Sequence, residues 1–275
     1  MERAAILNVY DFIGYSLCKY MLNDGVEIAG VHIASKHDKY FIEEKKMEIG
    51  RNANFSEISF KEWQATGTNE HLFISLYEQF NQDGMIEQYF NDILNTLENM
   101  DRSNQTLILI LPAHLALKHE KLTDSQLDLL RVIEKINSSV LQIYLPTIYG
   151  PWQPEEYFFQ QSLNYLEGES SIPVIAKWEW THDALYIQDA VETIMELAVS
   201  GKEGKYFLAS GKTNLWRSCA NELLGKQTEL LPRKADRTPK INEFIKVKIL
   251  KKNEKISMGL KKQKEQYFRI RESKE

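Results

Sequence analysis

The chain has 275 residues, 43% of them apolar and 27% charged, with a net charge of −5 at pH 7. That supports one large packed domain, or one domain with a small lobe. Two cysteines, Cys18 and Cys219, exclude a disulfide framework, and no run approaches the roughly 18 uncharged residues of a membrane helix, so a cytoplasmic protein is expected.

Ala4–Asn8 is an apolar run of strand length. Ile13, Leu17, Tyr20 and Met21 then recur at helical spacing, and Asn23-Asp24-Gly25 supplies a stop. Val26–Ile33 is a second strand, which completes a βαβ unit. Ser35–Phe60 is polar and reads as loop with a short edge strand at Ile58-Ser59-Phe60. Glu70–Leu76 is a strand. Met85–Met100 is a helix carried by Ile86, Tyr89, Phe90, Ile93, Leu94 and Leu97. Thr106–Leu111 (TLILIL) is apolar on both faces, as a central parallel strand must be. Asp124, a plausible N-cap, opens a helix running to Ile136, and Val140–Tyr144 is the next strand. This alternation predicts an α/β, Rossmann-like, doubly wound parallel sheet with its ligand crevice at the carboxyl ends of the strands. From Lys240 onward, twelve Lys/Arg face five Asp/Glu. This basic stretch reads as a solvated helix face on an acidic body. It lacks the aromatic-rich basic patch of a nucleic-acid binder, so no nucleic-acid partner is expected.

Several runs carry a resemblance. Phe12-Ile13-Gly14 is like the end of a TGxxGFIG turn. Pro146–Trp152 (PTIYGPW) is like TVYGPW, Thr181–Glu192 (THDALYIQDAVE) is like RDFTYIDDIVEA, and Ile256–Tyr267 (ISMGLKKQKEQY) is like LeeGLkktveWy. With Tyr206–Ser210 and Asn221–Gly225, these make the chain resemble the extended short-chain dehydrogenase/reductases, NAD-dependent epimerases and dehydratases, and the UDP-glucuronate 4-epimerase-like members above all. The resemblance implies a dinucleotide-binding-type domain over residues 1–150, to which part of 181–215 returns. It also implies a small sugar-nucleotide lobe and C-terminal basic helix over 151–275. Phe12, Ile13 and Gly14 become vestigial cofactor-binding residues, and Tyr149, Trp152 and His182 become substrate-binding residues. It further implies a nucleotide-sugar ligand, a link to surface-polysaccharide synthesis, and a homodimer or a pairing with a related enzyme through helices 85–100 and 124–136.

The resemblance fails where the chemistry should be. The two further glycines expected in the first turn are Asn8 and Asp11, and the acid ending the second strand is His32. An Asp beside a pyrophosphate adds like charge. Tyr77 and Glu78 follow the Glu70–Leu76 strand, where small residues would make room for a dinucleotide. The interval from Pro112 to Ser139 has no tyrosine, although the family's base is a Tyr four residues before a Lys. Tyr15 and Lys19 have that spacing but lie in the first helix, where they read as surface. His114 and His119 do not stack on a helix face, and no metal site is expected. The expected protein is therefore a non-catalytic relative without catalytic residues or cofactor, with Tyr10 or Asp11 filling the pyrophosphate position. The alternative is an active NAD- or NADP-dependent epimerase/dehydratase with an atypical cofactor loop and catalytic groups.

Overall fold

The computed structural model describes residues 1–32, 39–66, 71–79, 93, 106–117, 124–135, 140–227, 231 and 239–272. Its frame is an eight-stranded, wholly parallel sheet. In chain order the strands are β1 (Arg3–Leu7), β2 (Glu27–His32), β3 (Phe55–Ser59), β4 (His71–Ser75), β5 (Thr106–Pro112), β6 (Val140–Leu145), β9 (Gly204–Ala209) and β10 (Lys246–Ile249). The spatial order is β10-β9-β6-β5-β4-β1-β2-β3. A separate parallel pair joins β7 (Thr147–Tyr149) to β8 (Ala184–Tyr186).

The chain runs outward from β1 to β3, then crosses back to place β4 on the other side of β1. That reversal is the switch point where folds of this class form a ligand crevice. The TLILIL run explains why β5 is central. Its side chains alternate between two cores, with Ile108 and Ile110 facing one and Leu107, Leu109 and Leu111 facing the other. Each of these five buried side chains is worth about 1.5–3 kcal/mol relative to exposure.

Helix α1 (Phe12–Asn23) buries Ile13, Leu17, Cys18 and Met21 as its spacing predicts. Gly14 is required by contact rather than by φ. A Cβ there would lie 2.2 Å from the Asn8 carbonyl oxygen, so helix and strand could not approach as they do. The polar segment after β2 departs from expectation, since it forms α2 (Lys39–Ile49) ahead of the edge strand β3. The other helices are α3 (Phe60–Thr66), α4 (Asp124–Lys135), α5 (Phe158–Leu166), α6 (Ile187–Val199), α7 (Leu215–Leu224) and α8 (Ile256–Glu272). The predicted helix Met85–Met100 lies outside the described residues apart from Ile93, which is helical and buried. In α4, Leu127 is exposed and Leu130 half-buried.

Helix α8 locks the turn that follows β7. Gln263 is fully buried and its Oε1 accepts from the Gly150 N–H at 3.0 Å. Its Nε2 donates to Gln153 Oε1 and Gln160 Oε1. The basic stretch spreads over the acidic body, with Lys248 and Lys251 meeting Glu196 and Lys264 meeting Glu167, while Lys262 pairs within the stretch with Glu254. No helix among the described residues is long and apolar enough to cross a membrane.

Candidate functional site

The switch point brings together the carboxyl ends of β1 and β4. The turn after β1 is made without the expected glycines. Asn8 takes φ +61°, a left-handed conformation that asparagine tolerates better than most residues. Its Nδ2 donates to the Ser75 carbonyl at 3.0 Å and ties the turn to β4. The start of α1 then presents N–H groups and the positive end of the helix dipole.

Those groups are met by the chain's own acids. Ile13 N–H donates to Glu78 Oε1 at 3.0 Å, and Glu78 is 1% exposed. Gln79 Nε2 donates to Asp11 Oδ2. Behind them lies Lys45 of α2, whose Nζ donates to the Tyr10 carbonyl at 2.7 Å. Burial pushes the Lys45 ammonium down to about 8, against the opposing pull of Asp11, Glu78 and Glu48. The acids at the helix N-terminus are thus Glu78, which the sequence did not place there, and Asp11, the N-cap residue. The Tyr10 hydroxyl instead donates to Glu57 at 2.8 Å, and its ring lies edge-on to His32.

Among the described residues, aromatic rings stand over the neighbouring ends of β4, β5 and β6. Tyr77 is buried, donates its hydroxyl to the Pro146 carbonyl at 2.8 Å and accepts from Ile148 N–H at 3.1 Å. Its ring stacks on Tyr157, which meets Trp178 edge-on. About 10 Å³ of space is left between Tyr77, Pro112, Ala113 and Glu179. Glu179 is buried and accepts from Phe158 N–H and Trp216 Nε1–H. Burial pushes it up to about 7, despite both donors. His114, at the end of β5, is pushed down to about 4 by burial. His119 lies outside the described residues.

The residues singled out by the sequence fall apart in space. Phe12, Ile13 and Gly14 are buried at the start of α1. Tyr149 is 1% exposed in the core, against Gly259 of α8, and burial raises its phenol well above the ordinary value. His182 is partly exposed beside Trp180, and burial lowers its imidazole. Trp152 alone of the six adjoins both of the larger cavities, of about 420 and 530 Å³. Tyr15 and Lys19 converge on Glu48, but the phenol is buried and raised, not poised as a base. Sequence reasoning missed Lys45, Glu179 and Gln263, which sit at positions where a polar side chain breaks an apolar pattern. No group of three or more His, Cys, Asp or Glu side chains among the described residues could hold a metal ion.

No protein-family model matches the sequence, and no curated protein matches it. Solved structures match it along nearly its whole length. A dTDP-glucose 4,6-dehydratase from Bacillus anthracis, crystallised with NAD, aligns at TM-score 0.68 and 14% identity over 99% of this chain and 98% of its own. A UDP-glucuronic acid 4-epimerase from Bacillus cereus, also with NAD, gives TM-score 0.72 and 12% identity over 98% and 99%. A UDP-N-acetylglucosamine 4-epimerase from Methanobrevibacter ruminantium, with UDP-N-acetylmuramic acid, gives 0.63 and 13% over 98% of both chains. This chain has the extended short-chain dehydrogenase/reductase fold.

The comparison corrects one expectation. The sequence reading anticipated no cofactor, yet structures matching this fold from end to end were crystallised with NAD, so NAD binding goes with this fold. The correction concerns the fold as a whole. The α1 turn itself does not fit a pyrophosphate in the arrangement described, because the Ile13 N–H is taken by Glu78 and the Glu78 and Asp11 carboxylates stand where negative charge would arrive.

Proposed function

We propose that this protein is a non-catalytic relative of the nucleotide-sugar epimerases and dehydratases and acts by binding, as a partner, regulator or ligand sensor. One observation carries the reading: Tyr77, bonded to the backbone at Pro146 and Ile148 and stacked on Tyr157, stands over the strand ends, where the space it shares with Pro112, Ala113 and Glu179 is about 10 Å³. The absence of tyrosine between Pro112 and Ser139 supports it, since the fold's acid–base chemistry draws on that interval. The reading concerns the chemical step, not the cofactor. A chain that holds NAD but lacks the proton-transferring pair is equally unable to turn over.

The ligand class is a nucleotide sugar, taken from the names of the structural neighbours. The two-part division at residue 150, pairing through helices 85–100 and 124–136, and a role beside surface-polysaccharide synthesis belong to the same proposal. The second reading, an active enzyme with atypical catalytic groups, draws its support from the NAD held by the neighbours.

The test is incubation of the purified chain with NAD and UDP-glucose, UDP-glucuronate or dTDP-glucose, read by NMR of the sugar and by melting temperature. We expect no conversion, and a raised melting temperature with at least one nucleotide sugar, because a ligand of the folded state stabilises it. Conversion above the no-protein control establishes the second reading. No melting shift with any nucleotide sugar removes the ligand assignment.

A further inference from the structure

The 420 Å³ cavity lies away from the strand-end crevice, between α1, α6, α8 and the Pro151-Trp152 turn. Its volume is in the range of small-ligand sites. Aromatic rings form its walls. Trp152 stands at one side with φ +72°, a strained backbone for a tryptophan, of the kind that persists only where its surroundings hold it. Here its backbone N–H donates to Gln266 Oε1 at 3.1 Å, its ring meets Tyr15 edge-on at 5.7 Å, and the Lys45 ammonium lies 5.3 Å from the ring centre. Tyr186 also lines the cavity and is held by Lys262, 5.2 Å from its ring. Gln188 of α6 supplies an exposed amide.

The rim carries positive charge. Lys19 and Arg269 both meet Glu48, so two cations share one carboxylate. Their side chains are 52% and 56% exposed, while Glu48 is 19% exposed and also accepts from the Tyr15 hydroxyl. Both cations line the cavity beside Glu48, and donors of this kind make strong charge-assisted bonds to phosphate. Glu265, the acid in the lining, is paired with Lys261 at 3.6 Å.

We infer that this cavity binds a planar aromatic anion of nucleoside-monophosphate class, its ring against Trp152 and its phosphate on Lys19 and Arg269. The inference does not rest on the proposed function, because none of its lining residues comes from the strand-end turn and no chemical step is involved.

The test is calorimetric titration of the full chain with UMP and with AMP, and with inorganic phosphate as control. The variants are the double substitution Lys19→Gln/Arg269→Gln and, separately, Gln188→Trp, which blocks the cavity from an exposed position. We expect saturable one-to-one binding of at least one nucleotide, weakened about tenfold or more by the charge variant, a change of about 1.4 kcal/mol or more. Gln188→Trp should abolish it, with the circular dichroism of both variants unchanged. Lys19→Gln alone serves if the double variant does not fold. The inference fails if neither nucleotide binds saturably, if phosphate alone binds as tightly, or if binding survives Gln188→Trp. Enzymatic conversion of a nucleotide sugar, which would overturn the proposed function, leaves the Gln188→Trp result to stand or fall by itself.

Discussion

Helix α1 carries a charged cluster at each of two places, and they differ in kind. At its N-terminus, Glu78, Asp11 and Lys45 are nearly without solvent, and the backbone N–H of Ile13 is already satisfied. On its outer face, Tyr15 and Lys19 meet Glu48 and Arg269 at the edge of an open, ring-lined cavity. The first cluster uses charge to close a turn that glycines would have left open. The second holds two half-exposed cations on one largely buried carboxylate, Glu48. In this chain the charges at the β1–α1 turn are buried beside a cavity of about 530 Å³ bordered by Tyr10, Asp11 and Phe12, while those on the helix face stand at the rim of the 420 Å³ cavity.

The largest effect should come from the buried cluster. Glu78→Ala removes the acceptor of the Ile13 N–H and strips Lys45 of a counter-charge. Both losses act in one direction, and we expect about 3–5 kcal/mol of destabilisation by chemical denaturation, the usual result of breaking a buried charge set. A loss below about 1 kcal/mol would mean that the turn is not held this way.

Next comes a pH effect beside the Tyr77 and Tyr157 rings. Glu179 is held at about 7, above its ordinary 4.5. The folded state therefore keeps a proton that the unfolded chain has released, so stability is full below about 4.5 and falls as pH rises through 7. Glu179→Gln lacks that penalty. Its stability relative to the parent should rise by about 3 kcal/mol between pH 4.5 and pH 8. Parallel curves across that range would contradict the burial of this carboxyl.

The smallest effect belongs to the open side. Lys19→Gln should change stability by less than about 1 kcal/mol, because Lys19 is half exposed and Glu48 keeps Arg269 and Tyr15 as partners. A larger loss would erase the distinction between the two clusters.

Much of the frame was legible in the residues. β1, α1, β2, β4, β5 and β6 were all read within a residue or two, because their apolar runs and spacings follow directly from burial on one face or both. Helix α2 was read as loop, and the reason is specific. Its inward positions are Phe41, Ile42, Lys45 and Ile49, and the lysine breaks the apolar repeat just where the helix meets the core. The site was less legible. Glu78 stood out as crowding a dinucleotide, but its bond to Ile13 joins residues 65 positions apart, and no local pattern carries such a pairing. The same holds for Tyr77 and the backbone at Ile148, 71 positions away. The helix 85–100, offered as half of a pairing surface, lies outside the described residues except for Ile93.

Gln263 has a consequence for the order in which the molecule is assembled. It closes the Gly150 turn from 113 positions further along the chain. On the ribosome, the sheet strands through β6 emerge well before α8, so the turn and the wall it carries stay unlatched until that helix is synthesised. Contacts of such sequence separation are made late and slowly. A nascent chain halted before Ile256 would present Trp152 and the rings around it to solvent, and to chaperones, with its sheet already in place.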